Sequence, residues 1–293
     1  LGRYSKQSYD LLSLHCTVPF EIGLDVDKSN IHLIQNQIIF NLEKLNFITT
    51  LRTESVNNYR KIQHEQDELT HKKYFEYTDT ENDEIKLKKR FSPILKSIGL
   101  YTEIYFLYAK ILLDSIGDIV YLYEDKLPSN PKRSFSKLYY DIRKKGCKNP
   151  HLESVIKNEL NWYPLMIQVP RNQLLVHDVT SSGASWNDHG VDISFLKSGL
   201  NYTSEEELNS LLNIFNNHNG EFNIDTKGKY IHPILREFLR KPDVFTHEEI
   251  DELVRISKKF PTFPYVADVH PRLQNFLDFV SHMIQTAKIN GYW

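Results

Sequence analysis

The segment Arg171-Asn172-Gln173-Leu174-Leu175-Val176-His177 carries the side chains in this chain best suited to work on a phosphodiester. RNA brings its own nucleophile, the 2′-hydroxyl, so its cleavage needs no metal. It needs a group to take that proton, a group to protonate the leaving oxygen, and positive charge on the phosphorane. Histidine titrates near neutrality and serves both proton transfers. Arginine stays charged and offers a rigid fork of donors, which suits the third task. On an ideal helix Arg171 and His177 diverge by ~120°, too far for one compact site in one subunit. A second Arg-to-His spacing, Arg240 to His247, has Pro242 inside it, so one helix is not expected to hold both ends.

Glu103, Lys110 and Asp114 follow at steps of seven and four residues, which set them along one stripe of a helix. In one reading Glu103 or Asp114 holds His177 in a productive tautomer or pairs with Arg171. In the other they line a solvated face with a Lys110–Asp114 pair across one turn, worth ~0.3–0.5 kcal/mol. The stretch Lys132 to Lys148 has seven basic residues and one acid, interleaved with Phe135, Tyr139 and Tyr140. Phosphates want the charge and unstacked bases want aromatic faces. Lys132, Arg133, Lys137, Tyr139, Tyr140, Arg143, Lys144 and Lys145 are therefore the expected RNA-gripping residues. A basic helix that packs its aromatics into the core explains the same pattern.

The elements that must position these groups are helical. Ile31, Ile34, Ile38, Leu42, Leu45 and Ile48 recur at three or four, with Ser29 or Asn30 as a cap, and the pattern continues towards Tyr77 until Asp79–Asp83 breaks it. Leu100, Ile104, Leu107, Ile111, Ser115, Ile119 and Leu122 trace the face of a second amphipathic helix, punctuated upstream by Pro93 and Gly99 and ended by Pro128–Pro131. Ser134–Lys145 reads as a short helix stopped by Gly146, and His151 opens another that runs towards Trp162. Pro164 and Pro170 are expected to bend the chain before a half-buried helix at 171–178. Thr180–Gly190 reads as a loop and Asn216–Lys229 as a turn-rich break with room for a hairpin. Capping boxes sit at Thr203/Glu206 and Thr246/Glu249, and a last helix spans Pro271–Ile289.

Composition sets outer bounds. The chain has 293 residues, 40% of them hydrophobic and 25% charged, which excludes a disordered or low-complexity protein. A formal charge of −2 provides no global field for nucleic acid, so such a partner must be held by a local patch. Eleven glycines are few for an α/β nucleotide fold or a β-sandwich, and the class is mainly α. Cys16 and Cys147 form no metal-binding array, and a reducing, cytoplasmic setting is expected. Residues 1–20 lack a signal-peptide pattern. Glu103, Lys110, Asp114 and Asp118 interrupt the most apolar stretch, so no membrane span is expected.

The RN-x4-H spacing at 171–177, preceded by a long apolar helix, a basic helix and a helix ending near a Trp, resembles the HEPN superfamily over about residues 95–185. That resemblance implies an antiparallel helical bundle at 93–199, flanked by helical extensions at 1–92 and 200–293. It implies a metal-independent endoribonuclease without a cofactor, and a hydrolase with a role in toxin–antitoxin or antiviral defence. It also implies a homodimer whose motif helices face each other to form a composite cleft. Arg171, Asn172 and His177 would be the catalytic set, with Asp114 and Glu103 orienting them, and an antitoxin or defence partner is expected. One alternative is a catalytically silent module of the same type that binds RNA, a nucleotide or a protein. Another is an HD-type metal phosphohydrolase, suggested by His177-Asp178; its further ligands would come from His64, His71 or His151 and from Asp188 or Asp192, none at a diagnostic spacing. No Walker loop, GxGxxG, GxSxG or HExxH motif is present.

Overall fold

The computed structural model describes residues 28–76, 80–123, 134–176, 181–187, 190–195, 205–218, 235, 238, 241–259 and 266–289. They are mainly α-helical, as the periodicity predicts. Helix α1 (Lys28–Phe75) and helix α2 (Glu81–Tyr123) form a long antiparallel hairpin. Ile38, Leu42, Leu45 and Ile48 are buried, which is the stripe read from the sequence. Ser29 and Asn30 lie in the first turn of α1 rather than capping it. The second helix starts inside the Asp79–Asp83 stretch expected to break the pattern: Thr80 accepts the Asp83 and Glu84 N–H groups through its carbonyl (3.1 and 2.9 Å), and α2 begins at Glu81.

Prolines interrupt less than expected. Pro93 sits inside α2, and the division drawn at residue 92/93 falls within that helix. A mid-helix proline costs ~3 kcal/mol in isolation. Burial along the rest of α2, from Ile98 to Tyr121, outweighs it. Pro271 is likewise internal to the last helix, which starts at Val266 rather than Pro271, because Val266 and Val269 are buried in the same core as Leu273 and Leu277.

Helix α3 (Phe135–Lys145) has Ser134 as its cap, accepting the Lys137 N–H. It ends at Gly146, whose φ of 73° lies in the left-handed region that favours glycine. Helix α4 (Pro150–Asn158) starts one residue before His151 and is capped by Asn149, whose Oδ1 accepts the His151 and Leu152 N–H groups (3.0 and 3.1 Å). From Trp162 to Val176 the chain stays helical where a bend was expected. A π-turn at Pro164–Gln168 leads directly into α5 (Val169–Val176). The ring of Pro170 has no N–H to offer the carbonyl four residues back, and the wider π-turn accommodates it; Val169 N–H reaches Pro164 O instead. Nearly every side chain from Leu160 to Pro170 is buried, so this run is a core helix.

The expected loop at 180–190 instead contains strand β1 (Ser181–Asn187), which pairs antiparallel with β2 (Gly190–Phe195), Asn187 opposite Gly190. Alternation of Ala184 and Trp186 with serines, and of Val191, Ile193 and Phe195 with Asp192 and Ser194, gives the two-residue period of a hairpin. Helices α6 (Glu205–Asn217), α7 (His247–Lys259) and α8 (Val266–Ile289) follow. The capping box at α7 forms as expected: Thr246 N–H donates to Glu249 Oε2 (2.9 Å) and Glu249 N–H to Thr246 Oγ1 (3.3 Å). Thr203 and residues 219–229 lie outside the described residues. Ile38, Tyr105, Phe135, Met166, Phe238 and Leu277 belong to one buried cluster, which draws on all three sequence regions. Among the described residues no helix is long and apolar enough to cross a membrane.

Candidate functional site

The site is built where α5 meets the middle of α2. Arg171 and Asn172 project from the start of α5, both half-buried. Arg171 Nη1 donates to Asn172 Oδ1 at 3.1 Å. Among the described residues no carboxylate pairs with this guanidinium, so the pairing of Arg171 with Glu103 or Asp114 is not formed. Asn172 instead steadies the fork from the neighbouring position.

Facing it on α2, Lys110 is 4% exposed, and its ammonium is bonded to the Asp114 carboxylate one turn on. Burial pushes the Lys110 ammonium below its ordinary range; Asp114 opposes that fall, and the positive charge of Arg171 adds to it. The pair foreseen as a feature of a solvated face is therefore internal on its lysine side. Asp114 has a second duty. Its Oδ1 accepts the Phe135 N–H at 2.8 Å, the first N–H of α3, where the positive end of that helix favours a carboxylate. Asp114 is thus held by Lys110 and α3 and does not pair with Arg171. The three charges sum locally to one excess positive charge, carried by a half-buried guanidinium that keeps donors to spare.

Glu103 lies on the same stripe but about two turns from Lys110, ~10 Å along the axis. It is half-buried, and loss of water raises its carboxyl above the usual range. It is not drawn into the Lys110–Asp114 pair. His177 lies outside the described residues, as do Asp178, Asp188, Lys132, Arg133 and Arg240. The described residues hold no group of three or more His, Cys, Asp and Glu side chains arranged to bind a metal.

The expected RNA-gripping helix divides in two. Phe135 and Tyr139 are buried in the core, along with Leu138 and Ile142. Phe135 packs edge-on against Tyr163 at 4.9 Å, and Tyr139 lies 5.4 Å from the same ring. Burial drives the Tyr139 phenol far above its ordinary value. The Tyr139 ring is therefore closed to a nucleobase, and the packing explanation accounts for it and for Phe135. Arg143 is also committed: it lies over the Tyr139 ring, donates to the Tyr139 hydroxyl at 3.2 Å and approaches Asp251 at 3.9 Å. Tyr140 is half-buried, and burial together with nearby Asp251 raises its phenol. Lys137 is half-buried, while Lys144 and Lys145 are exposed, with Lys145 3.9 Å from Asp141. What remains open is a short basic edge, and its last-turn lysines also suit the negative end of α3.

Reasoning from spacing passed over Lys110 as a site residue. The sign was available in part, since Phe106, Leu107 and Leu113 surround it at helical neighbours three and four away. What the spacing could not give was α5, the element that covers it. No family model, no curated protein and no solved structure matches the chain.

Proposed function

We propose that the chain is a metal-independent endoribonuclease of the HEPN type, acting in the cytoplasm as a homodimer on single-stranded RNA. Arg171 stabilises the phosphorane and His177 moves the proton. The observation that supports this reading is the half-buried Arg171 guanidinium, which has no carboxylate partner among the described residues and lies beside the buried Lys110. A half-buried cation with free donors is partly stripped of water and well placed to receive an anion, and a phosphodiester supplies that charge. Asn172 fixes the fork in advance, so little order is lost on binding.

In the reaction the 2′-oxygen bonds to phosphorus as the 5′-oxygen leaves. His177 takes the 2′-hydroxyl proton, and the leaving oxygen receives a proton from the histidine of the paired subunit. The products are a 2′,3′-cyclic phosphate and a free 5′-hydroxyl. Such a nuclease fits a toxin or antiviral-defence effector restrained by an antitoxin.

A second reading, a silent module of the same type that binds RNA or a protein, is favoured by the engagement of Asp114 Oδ1 with Lys110 and α3, a structural duty that accounts for this carboxylate without a catalytic role. One assay separates the two. Wild type, His177→Ala and Arg171→Ala are incubated with single-stranded RNA in EDTA, and fragments are tested for cyclic phosphate ends. The nuclease reading expects losses of ~10²–10⁴-fold for His177→Ala and ~10²–10³-fold for Arg171→Ala. Equal turnover by wild type and His177→Ala removes the mechanism, and no turnover by a folded wild type leaves the binding module.

A further inference from the structure

A cleft of about 320 Å³ opens on a different part of the fold, between α4, the turn after it and α8. That volume suits a small ligand. Its apolar wall is formed by Val155, Leu160, Trp162, Phe276 and Phe279, with the Phe276 and Phe279 rings stacked at 6.4 Å and 23°. Three charged side chains line it: Glu159, Asp243 and Arg272. Arg272 is ion-paired with Asp243, so these two cancel. Glu159 is exposed, and no hydrogen bond or ion pair engages its carboxylate among the described residues. It also stands at the C-terminal end of α4, where its N–H closes the helix on Val155 O (2.9 Å) and the helix dipole is negative. The two carboxamides at the rim, Asn158 and Asn275, add no charge.

From this arrangement we infer that the cleft binds a small organic cation with a ring-bearing apolar body. The ring packs on the wall of Trp162 and Phe279, and its ammonium is held by Glu159, the helix end and the negative faces of the aromatic rings. An anion meets an unbalanced carboxylate there and is repelled. The inference is independent of the nuclease reading, since it uses neither Arg171 nor His177.

The test uses three probes of one shape on the full chain: 2-phenylethylammonium, 2-phenylethanol and phenylacetate. Binding is read by calorimetry and by saturation-transfer NMR. The cation should bind at least ~5-fold more tightly than the alcohol, a difference of about 1 kcal/mol, and phenylacetate should bind most weakly. In Glu159→Gln, a surface change that leaves the fold intact, the cation should fall to the level of the alcohol. In Phe279→Ala both should weaken together. Free lysine amide, which has the ammonium without a ring, should bind more weakly than phenylethylammonium. Equal binding of the three probes, a cation preference that survives Glu159→Gln, lysine amide matching the aromatic amine, or no binding in the millimolar range would each overturn the assignment.

Discussion

The α1–α2 hairpin is two structures along one pair of helices. In its inner half, α1 from Ile38 to Val56 lies against α2 from Ile98 to Tyr121, and both also face the rest of the protein, so Tyr105, Phe106, Ala109, Leu112 and Leu113 are fully buried. Even the polar groups there are enclosed: Arg52 Nε donates to Thr102 Oγ1 at 3.0 Å, and Lys110 is bonded to Asp114. In the outer half each helix has only the other to lean on. Ile62 and Leu87 are buried there, Tyr59 and Phe91 meet at 5.0 Å, and most other side chains are exposed. Ion pairs on the surface do the rest: Arg90 grips both oxygens of Glu65 (2.6 and 3.1 Å), and Lys73 meets Glu84 at 2.8 Å. The same helical geometry thus holds charge in two regimes. Inside, a pair is costly to break because the survivor stays buried; outside, water replaces whatever is lost.

The sharpest break in that contrast is Asp114→Ala. It strips the carboxylate from a buried ammonium that already feels Arg171, and it leaves the first N–H of α3 without its acceptor. Since Asp114 is itself about a third exposed, the loss should sit near the low end of the range for buried pairs, ~3 kcal/mol in urea unfolding. Lys110→Met should cost clearly less, because it replaces the buried charge with an apolar chain and Asp114 keeps the Phe135 N–H. Equal losses for the two variants would show that the lysine is better solvated than its burial implies.

Next comes a matched pair of truncations, Leu112→Ala in the inner half and Leu87→Ala in the outer half, with exposures of 0% and 8%. The first leaves a cavity enclosed by several elements and should cost ~3–4 kcal/mol. The second opens towards solvent between two helices and should cost roughly half of that. Amide exchange reads the same difference without mutation: the outer segments should open locally, well below the global unfolding free energy that protects the inner ones. Uniform protection along α1 and α2 would mean that the hairpin unfolds as one unit.

How much of this was legible in the sequence depends on whether the cause was local. Helix α3 was readable because its signals lie within it: Ser134 to start, Gly146 to stop, and Phe135, Leu138, Tyr139 and Ile142 at one face. That spacing fits packing and base stacking alike for Tyr139, and the covering Tyr163 ring, a partner distant in sequence, decides for packing. The prolines misled for the opposite reason. Pro93, Pro164, Pro170 and Pro271 each weaken a helix locally, and each is outvoted by neighbours buried against distant elements. Ala184 to Phe195 contained a two-residue alternation that the surrounding glycines and serines disguised as a loop. At the site, the stripe of Glu103, Lys110 and Asp114 was visible, but its division was not. Lys110 turns inward, Asp114 reaches α3, and Glu103 stands apart, because partners far along the chain decide which stripe residues are covered.

The smallest effect belongs to the outer ion pair. Hydrogen bonding from Arg90, supported by its charge, holds the Glu65 carboxyl below its ordinary value of 4.5 and outweighs the loss of hydration, which acts the other way. A carboxyl whose folded-state pKa is depressed adds stability above about pH 4.5, and that increment disappears as the pH falls through the depressed value. Glu65→Gln should therefore flatten the upper part of the acid limb of the stability curve and leave the neutral-pH midpoint almost unmoved. Because both partners are open to water, high salt should erase even this difference between wild type and variant. The Lys110–Asp114 pair, shielded on its lysine side, should not respond to salt in the same way. If raising the salt shrinks the deficits of Asp114→Ala and Glu65→Gln relative to wild type by the same small amount, the two halves of the hairpin do not hold charge differently.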